Sequence, residues 1–500
     1  MPQTLKDKAV AGLAWTSVEK LAQQVIQFVI GVVIARILTP DDYGVVGMTA
    51  IFLAVANTLV DSGFGSALIQ KKDKTESDYS TCFYFNAAVS LVLYAAMWVA
   101  APSIADFYHT PILTGACRAL SLTFVINSLS AAQTARMTAE MRFREMSVIT
   151  VVSQLFTGGL GLALAYGGYG VWALVFQQIA SSAARLVGVE LCLRWVPRRA
   201  FSRVSFKHLF GFGSKILCSS LINTIYNNLY TLVIGRAFSA ADVGYYNRAN
   251  QFVQLPSSTL LSVVMKVAYP LMAQVQDDAD RLRAAYSKFL RAPLFILYPV
   301  LFGLMALAEP LIAVLLGEKW LMAAPLLQVL CAGAFFDPLT HINLNILYVK
   351  GRTDLVLRLE LIKKPIAFLL LFATLPFGLW WLCLGRAAYG LIAYAFNCYY
   401  TGRFISLGFW RQMAFCLPAL LKSGLMGAAC YLVTLTSLSP ALQLLAGIGI
   451  GGVTYLGLAA LTHDQTLAEA ISYWKSRRAK TGQNEKSKHK DDGCDNCGDI

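Results

Sequence analysis

Long apolar windows, each of about 18 or more mostly apolar residues, recur along nearly the whole chain. An α-helix needs about 20 such residues to cross the hydrocarbon core of a bilayer. Of the 500 residues, 57% are hydrophobic and 14% are charged, whereas soluble domains carry about 25% charged residues. The first residues, MPQTLKDKAV, are polar and lack a small-residue cleavage site, so the first apolar helix is expected to act as the insertion signal. The fold class expected is an all-α integral membrane protein.

The apolar windows and turn residues predict about fourteen transmembrane helices, near 13–37, 44–69, 80–105, 112–135, 147–166, 170–193, 208–235, 244–270, 286–316, 322–348, 359–376, 379–401, 413–435 and 440–462. With the N-terminus placed in the cytoplasm, 28 Lys and Arg residues fall on the inner side, and three fall on the outer side: Arg36, Arg236 and Lys319. Positive charge is enriched in cytoplasmic loops, so both termini are expected to be cytoplasmic. The net charge of +14 then reflects loops that face an anionic leaflet and does not predict a nucleic-acid partner.

An internal repeat joins two parts of the chain. IARILTPDDYG at 34–44 returns as IGRAFSAADVG at 234–244, with four identities: Ile34/Ile234, Arg36/Arg236, Asp42/Asp242 and Gly44/Gly244. An even number of predicted helices separates the copies, which favours a parallel repeat about an axis along the membrane normal. The predicted domains are six-helix bundles at 1–207 and 208–410, two additional helices at 411–465, and a polar cytoplasmic tail at 466–500. Such duplication is typical of secondary transporters.

The repeated motif has a simple architectural interpretation. Arg36 and Arg236 are each expected to end a helix, where a cation meets the negative end of the helix dipole. Asp42 and Asp242 are expected to be N-caps of the following helices. A gating role for this motif is the alternative.

Charged residues within the predicted helices are mostly basic. The bases are Lys20, Arg118, Arg185, Lys215, Arg248, Lys266, Arg291, Lys363, Lys364, Arg386 and Lys422; the acids are Glu19, Asp61, Glu190, Glu309, Asp337 and Glu360. Five of these residues are expected to snorkel toward the interface: Lys363, Lys364, Glu360, Glu190 and Lys266. For Lys20 and Lys215 snorkelling and an inward position stay open. The charges expected to lie deeper are Arg118, Arg185, Arg386, Lys422, Asp61 and Asp337. A cavity lined by Arg and Lys selects an anion, so the excess favours an anionic substrate. Pairing of these bases with the few acids as structural ion pairs is the alternative.

Several catalytic motifs are missing from the sequence. It contains no GxxxxGK[ST] loop and no HExxH, and the predicted outer loops are too short to hold paired catalytic carboxylates. We therefore expect a protein that is not an enzyme, without a cofactor, driven by an ion gradient or by the substrate gradient. Cys494 and Cys497 form a single CxxC in the tail, a weak metal signal because no second ligand pair accompanies it.

An ordered set of loop motifs resembles a known family. ARILTPDDYG, DSGFGSALIQKKD, MRFREMS, YGGYGVWALV, RWVPRRAFS, GYYNRANQFVQLP, YPLMAQVQDD, GEKWLMAAPLLQVL and KGRTD follow one another over roughly residues 5–410. Their order is similar to that in Wzx-type polysaccharide flippases, in particular the colanic-acid exporter type. These belong to the polysaccharide-transporter branch of the multidrug/oligosaccharidyl-lipid/polysaccharide exporter (MOP) superfamily.

The resemblance implies two six-helix bundles around a V-shaped central cavity, with two extra helices, in the bacterial cytoplasmic membrane. It implies translocation of undecaprenyl-pyrophosphate-linked oligosaccharide repeats to the outer leaflet, with polymerase and chain-length proteins as further partners. Cationic positions on the corresponding helices would bind the pyrophosphate: Lys20, Lys215, Arg248, Lys266 and Arg291. Proton or sodium coupling would fall to Glu19 and Asp61.

Two other hypotheses stay open at this point. An organic-cation or drug antiporter of the same superfamily would have twelve helices and a dominant buried carboxylate. A membrane enzyme, such as a repeat-unit polymerase or ligase, would need a large outer loop.

Overall fold

The computed structural model describes residues 5–61, 63–71, 73–197, 201–469 and 472; for 5–19, 21 and 215 it describes the backbone alone. The described chain is helical and contains no β-strand. The first half forms α1 (Leu5–Ile37), α2 (Pro40–Asp61), α3 (Phe64–Gln70), α4 (Glu76–Tyr108), α5 (Ile112–Ala139), α6 (Phe143–Tyr166), α7 (Val171–Leu193) and α8 (Arg203–Ala237).

The second half forms α9 (Ala240–Gln274), α10 (Ala279–Ala306), α11 (Ala308–Leu315), α12 (Ala323–Ala334), α13 (Asp337–Val349), α14 (Thr353–Thr374), α15 (Leu379–Ile405), α16 (Phe409–Thr434) and α17 (Pro440–Leu461). Single 3₁₀ turns lie at Glu318–Trp320 and Leu375–Phe377. Every predicted helix overlaps a helical segment of the structure, but many observed helices are longer than predicted. The helical hydrogen bonds continue into polar interfacial turns that an apolar window leaves out.

Ten helical segments in the described part of the chain are long and apolar enough to cross a membrane. They include α2 with α3 as one segment and α12 with α13 as another. Helices α1, α7, α8 and α14 are not among the ten. The chain is therefore a multi-pass membrane protein, and the count of fourteen crossings stays a prediction.

Three predicted helices are interrupted, each by a local backbone feature. Gly63 separates α2 from α3 in a left-handed conformation (φ 68°), and a Cβ there would lie 2.4 Å from the carbonyl oxygen of Gly213 on α8. Leu307 separates α10 from α11. Pro338 lies in the first turn of α13, where a backbone N–H forms no helical hydrogen bond, so a proline is tolerated there. The apolar pattern runs through all three positions, so it does not predict these breaks.

The contacts within the chain define two compact units. The first comprises Met1–Gln251 and Leu315–Leu326, and the second comprises Phe252–Val314 and Leu327–Ile500. In the first unit α8 packs against α2, α3 and α4, so it groups with the preceding helices. This division by contacts differs from the predicted bundle boundary at residues 207 and 208, which rests on the sequence repeat.

The surface of the helices is largely apolar. Val99 is 77% exposed, Leu369 69% and Val453 76%. Exposed apolar side chains on this scale are unfavourable in water and match a hydrocarbon solvent. The helices thus present a lipid-compatible exterior.

The core of the second unit contains a buried polar network. Asn343 and Gln412 exchange two amide hydrogen bonds of 3.0 Å each. The hydroxyl of Tyr286 lies 2.9 Å from Asn343 Oδ1 and 3.0 Å from Gln412 Oε1. All three residues are at most 1% exposed. In a low-dielectric interior each polar group of this network depends on the others for its partner.

We predict that Asn343→Leu destabilises the protein, because it removes the buried hydrogen bonds that Asn343 forms with Tyr286 and Gln412. The expected loss is about 1 to 2 kcal/mol. The melting temperature of the purified protein in detergent measures it. Asn223→Leu, at an exposed position of α8, is the matched control and should melt like the wild type. Equal melting temperatures for all three proteins would contradict the prediction.

Candidate functional site

The two copies of the repeated motif build the same helix start. Thr39 donates from its backbone N and Oγ1 to Asp42 Oδ2 at 2.9 and 2.7 Å, and Asp42 N donates back to Thr39 Oγ1 at 3.3 Å. Ser239 and Asp242 repeat the three bonds at 3.0, 2.7 and 3.2 Å. These are capping boxes, with an acid in the third helical position.

This geometry corrects one expectation. Helices α2 and α9 begin at residues 40 and 240, four residues before the predicted starts. Thr39 and Ser239 are therefore the N-caps, and Asp42 and Asp242 are the third residues of their helices. The prediction was wrong about the cap because the apolar window of each helix begins after its first polar turn.

The first turns of α2 and α9 touch backbone to backbone. A Cβ on Gly44 would lie 1.7 Å from the carbonyl oxygen of Ala240, and a Cβ on Gly244 would lie 2.2 Å from that of Pro40. Each glycine thus faces the helix start of the other copy, and exchanging positions 200 residues apart maps one contact onto the other. Only glycine allows this approach.

The arginines of the motif differ from one another in their contacts. Arg36 Nε donates at 2.9 Å to the carbonyl of Leu315, the last residue of α11. Lys319 Nζ donates in turn to the carbonyls of Arg36 and Ile37 at 2.8 and 3.1 Å. Each helix end is capped by a cation from the other segment, which satisfies carbonyls that a helix C-terminus leaves unpaired. Arg36 lies in the last turn of α1, as expected for a cation at the negative end of the helix dipole, and Lys319 adds the hydrogen bonds to the carbonyls there.

Arg236 has other partners. Its Nη1 lies 3.2 Å from His109 Nε2, and its guanidinium lies 5.4 Å from the ring centre of Phe107. Arg236 nevertheless lies in the last turn of α8, as Arg36 does in α1, so both repeated arginines end their helices as expected.

A cavity of about 550 Å³ opens next to this helix crossing, within the first unit. Its walls come from α1, α2, α6, α7 and α9. The polar lining is rich in amides and hydroxyls: Gln27, Gln154, Thr157, Gln177, Gln178, Ser181, Asn247 and Gln251. Arg248 is the one charged residue among the described residues that line it. Carboxamides and hydroxyls donate and accept hydrogen bonds, so such a wall suits a polyhydroxylated ligand.

Arg248 is buried without an acidic partner. Its side chain is 8% exposed, and its guanidinium carbon lies 4.0 Å from the ring centre of Tyr43. Its Nη1 donates to Gln251 Oε1 at 2.7 Å, while its Nε has no hydrogen-bond partner in the described structure. No carboxylate among the described residues forms an ion pair with it. A buried cation is costly unless it is paired, so an anion in the cavity would complete its coordination.

The other predicted substrate-binding cations lie elsewhere. Lys20 is exposed on α1 and does not line the cavity. Lys266 is exposed on α9, and Arg291 is exposed on α10, both in the second unit. Arg291 bonds to Gln465, and its guanidinium lies 5.2 Å from the ring centre of Phe415. The side chain of Lys215 lies outside the described residues.

Neither predicted coupling acid lines the cavity in the described structure. Asp61 is the last residue of α2, and its side chain is exposed. The side chain of Glu19 lies outside the described residues, as do Cys494 and Cys497. The roles assigned to these residues stay predictions.

Ion pairing, rather than snorkelling, accounts for one group of intramembrane charges. Lys363 is 3% exposed and lies 2.6 Å from Glu360, while its Nζ also donates to Asn397 Oδ1 at 3.1 Å. Lys364 lies 3.5 Å from the same carboxylate. The expectation of snorkelling was wrong here because Glu360 is one helical turn away from both lysines.

Sequence reasoning missed the amides of the cavity. Gln27, Gln154, Gln177 and Gln178 are uncharged residues of apolar helices, whereas the predicted site residues are all charged. A buried carboxamide is also unfavourable in a membrane unless it bonds to something. The signal was therefore present in the sequence as uncharged polar residues inside predicted spans.

The family is decided by a match over residues 33–325, more than half of the chain, to the model of a family described as polysaccharide biosynthesis protein. The chain belongs to the polysaccharide biosynthesis protein family. It is a multi-pass membrane protein of that family, and the predicted resemblance to Wzx-type polysaccharide flippases is confirmed.

Three relatives cover most of the chain. The teichuronic acid biosynthesis protein TuaB of Bacillus subtilis is 27% identical over 94% of this chain and 99% of its own length. The succinoglycan biosynthesis transport protein ExoT of Rhizobium meliloti is 28% identical over 96% of this chain and 98% of its own. The lipopolysaccharide biosynthesis protein WzxC of Escherichia coli is 27% identical over 72% of this chain and 74% of its own length.

Solved structures establish the fold independently. The lipid II flippase MurJ, in an inward closed conformation, superposes with a TM-score of 0.76 at 16% identity, over 91% of this chain and all of MurJ. A multidrug resistance MATE transporter of the MOP superfamily, in an inward-facing conformation, gives a TM-score of 0.61 at 14% identity. The superposition covers 77% of this chain and 94% of the transporter. At these identities the likeness concerns the fold alone.

We predict that Gly44→Ala perturbs the helix crossing, because the added Cβ meets the backbone of Ala240 rather than a flexible side chain. Overpacking of this kind costs about 1 to 3 kcal/mol. The melting temperature in detergent and complementation of a deletion strain measure it.

Gly159→Ala is the matched control, because a Cβ at that position of α6 meets nothing within 4 Å. That substitution should be neutral or stabilise by up to about 1 kcal/mol. If Gly44→Ala melts and complements like Gly159→Ala, the two helix starts do not touch as described.

Proposed function

We propose that this protein flips undecaprenyl-pyrophosphate-linked oligosaccharide repeat units from the inner to the outer leaflet for assembly of a surface polysaccharide. Membership of the polysaccharide biosynthesis protein family supports a role in the synthesis of a polysaccharide. The names of TuaB, ExoT and WzxC each place a relative in the production of an extracellular or surface polymer. The fold shared with a lipid II flippase is compatible with a lipid-linked cargo.

The buried guanidinium of Arg248 is the observation that carries this proposal. A pyrophosphate oxygen would accept hydrogen bonds from its Nε and supply the negative charge that the described surroundings lack. The surrounding amides of Gln27, Gln177 and Gln178 would then bond to sugar hydroxyls, because a carboxamide can both donate and accept. One cation among many amides matches the charge distribution of a sugar pyrophosphate.

The same lining argues against an organic-cation antiporter. A cationic cargo would need a carboxylate in the cavity, and the described lining contains none. Arg248 would repel such a cargo across a low-dielectric cavity. The anionic cargo is therefore the better supported of the two hypotheses.

The proposed topology has fourteen crossings, two parallel six-helix repeats and both termini in the cytoplasm of a bacterial inner membrane. The ten apolar segments, together with α1, α7, α8 and α14, would supply these crossings. The matching capping boxes at Thr39 and Ser239 support a common origin of the two helix pairs. The bias of Lys and Arg toward one set of loops supports the orientation.

Transport would proceed by alternating access driven by a proton or sodium gradient. Glu19 and Asp61 keep the coupling role that the family resemblance implies. Lys20, Lys215, Lys266 and Arg291 remain further candidates for pyrophosphate contacts at other stages of the cycle.

We predict that Arg248→Ala abolishes clearance of lipid-linked oligosaccharide from the cytoplasmic leaflet. Loss of a charge-assisted bond costs about 1.5 to 3 kcal/mol, or about 10- to 100-fold in affinity. Leaflet accessibility of the intermediate, in cells lacking the gene and complemented with each variant, measures it. Arg248→Lys should restore clearance in part, because an ammonium keeps the charge but not the paired donors.

Arg118→Ala is the matched control for removing an arginine from a predicted span. Arg118 contacts Trp98, with 3.3 Å from its Nε to the carbonyl oxygen, and does not line the cavity. It should clear the intermediate normally at equal membrane abundance. If deletion leaves the leaflet distribution unchanged while a cationic dye accumulates, the flippase proposal fails and the antiporter hypothesis replaces it.

A further inference from the structure

A second cavity, of about 730 Å³, lies wholly within the second unit, between α10, α16 and the end of α17. Its polar side carries Arg291, Lys422, His463 and Asp464. Its other side is apolar, with a stripe of Leu417, Leu421 and Leu425 at intervals of four residues along α16. All three leucines are about half exposed, between 49% and 58%. The cavity is therefore amphipathic and open to its surroundings.

Helix geometry places the polar side near the membrane surface. Helix α17 has 22 residues and so a length of about 33 Å, which matches a hydrocarbon core of about 30 Å. Its end at Leu461 puts Asp464 at the level of the lipid headgroups. Lys422 bonds to Asp464 and Arg291 bonds to Gln465, so the charged ends of both side chains reach toward that level from within α16 and α10.

Apolar side chains flank the cations on all three helices, and on α16 Leu417 and Leu421 precede Lys422. Leu294 follows Arg291 on α10, Leu425 follows Lys422 on α16, and Leu458 precedes the polar end of α17. A ligand of this cavity would thus meet cations directly beside apolar side chains. This combination suits a phospholipid, in which a charged headgroup is joined to acyl chains.

The charges of the polar side leave a net positive cavity. Asp464 is the one acid among the described lining residues, and it pairs with Lys422. Burial raises the pKa of Asp464, but the hydrogen bonds from Lys422 and Thr466, together with the charge of Lys422, hold the pKa below its usual value. The carboxylate is therefore ionised at neutral pH and neutralises one cation. Arg291 stays as the excess charge, exposed and stacked on Phe415.

We propose that this cavity binds an acidic phospholipid of the cytoplasmic leaflet, with its phosphate between Arg291 and Lys422 and an acyl chain along Leu421 and Leu425. The site goes beyond the proposed transport function, because its occupant is a resident lipid and not the cargo. It assumes the predicted orientation, in which the end of α17 faces the cytoplasm. Basic pockets between transmembrane helices on that side recognise anionic headgroups.

The position of Asp464 makes the proposal sharply testable. The carboxylate of Asp464 forms an ion pair with the ammonium group of Lys422. A lipid phosphate would therefore compete with this carboxylate for the ammonium group. Removing the carboxylate charge should therefore strengthen the binding of an acidic lipid. A merely structural ion pair would give no such gain.

Native mass spectrometry of the full-length protein in detergent, titrated with phosphatidylglycerol or phosphatidylcholine, tests this. The wild type should bind phosphatidylglycerol at least about fivefold more tightly than phosphatidylcholine. Arg291→Gln should remove most of that preference, and Asp464→Asn should increase it about two- to fivefold. Arg358→Gln, at an exposed base of α14 outside the cavity, is the matched control and should leave the preference unchanged.

Three outcomes would overturn the proposal. The first is equal affinity of the wild type for the two lipids, and the second is an equal effect of Arg291→Gln and Arg358→Gln. The third is that undecaprenyl pyrophosphate displaces phosphatidylglycerol completely, with a dependence on Arg291, because the cavity would then belong to the cargo. Arg291 is exposed, so its variant should fold, and transport through Arg248 can fail or succeed independently of this result.

Discussion

The backbone contact between the first turns of α2 and α9 fixes the geometry of the cavity. Gly44 and Gly244 leave no room for a side chain between the two helix starts. Tyr43 precedes the first glycine, and Arg248 follows the second by one helical turn, so the crossing itself brings the ring and the guanidinium together at 4.0 Å. A wider crossing would separate them. The electrostatic centre of the site therefore depends on two residues that carry no functional group.

Once Arg248 is held there, its burial constrains what the cavity can accept. The face of Tyr43 and the amide of Gln251 stabilise the guanidinium in part, but neither carries a negative charge. The amides around it form a polar wall of no net charge. An anion with hydroxyl groups satisfies both parts, whereas a hydrophobic cation satisfies neither. The proposed preference for an anionic, hydroxylated ligand thus follows from the groups that lack partners in the described site, and not from the fold alone.

The sequence predicted the helical segments and the repeated motif, because apolar length and local identity are directly visible in it. It also named Arg248 as a candidate through the family resemblance, and the binding role of Arg248 stays a prediction. It did not predict that Lys319 caps α1 or that Gln154 and Gln177 line the same cavity, because these contacts depend on which faces of distant helices meet. The starts of α2 and α9 were misplaced for a related reason. Capping boxes such as Thr39 with Asp42 are polar and fall outside an apolar window.

Arg248 and Arg291 were both predicted to bind pyrophosphate, and the structure gives them different surroundings. Arg248 is enclosed by amides, which can bond to the hydroxyls of a sugar. Arg291 lies beside leucines and an acid that compensates the neighbouring lysine, which suits a headgroup followed by an acyl chain. A guanidinium binds any phosphate, so it cannot by itself distinguish these ligands. The side chains around each arginine distinguish a sugar pyrophosphate from a phospholipid, because they determine which chemical group attached to the phosphate can be bound.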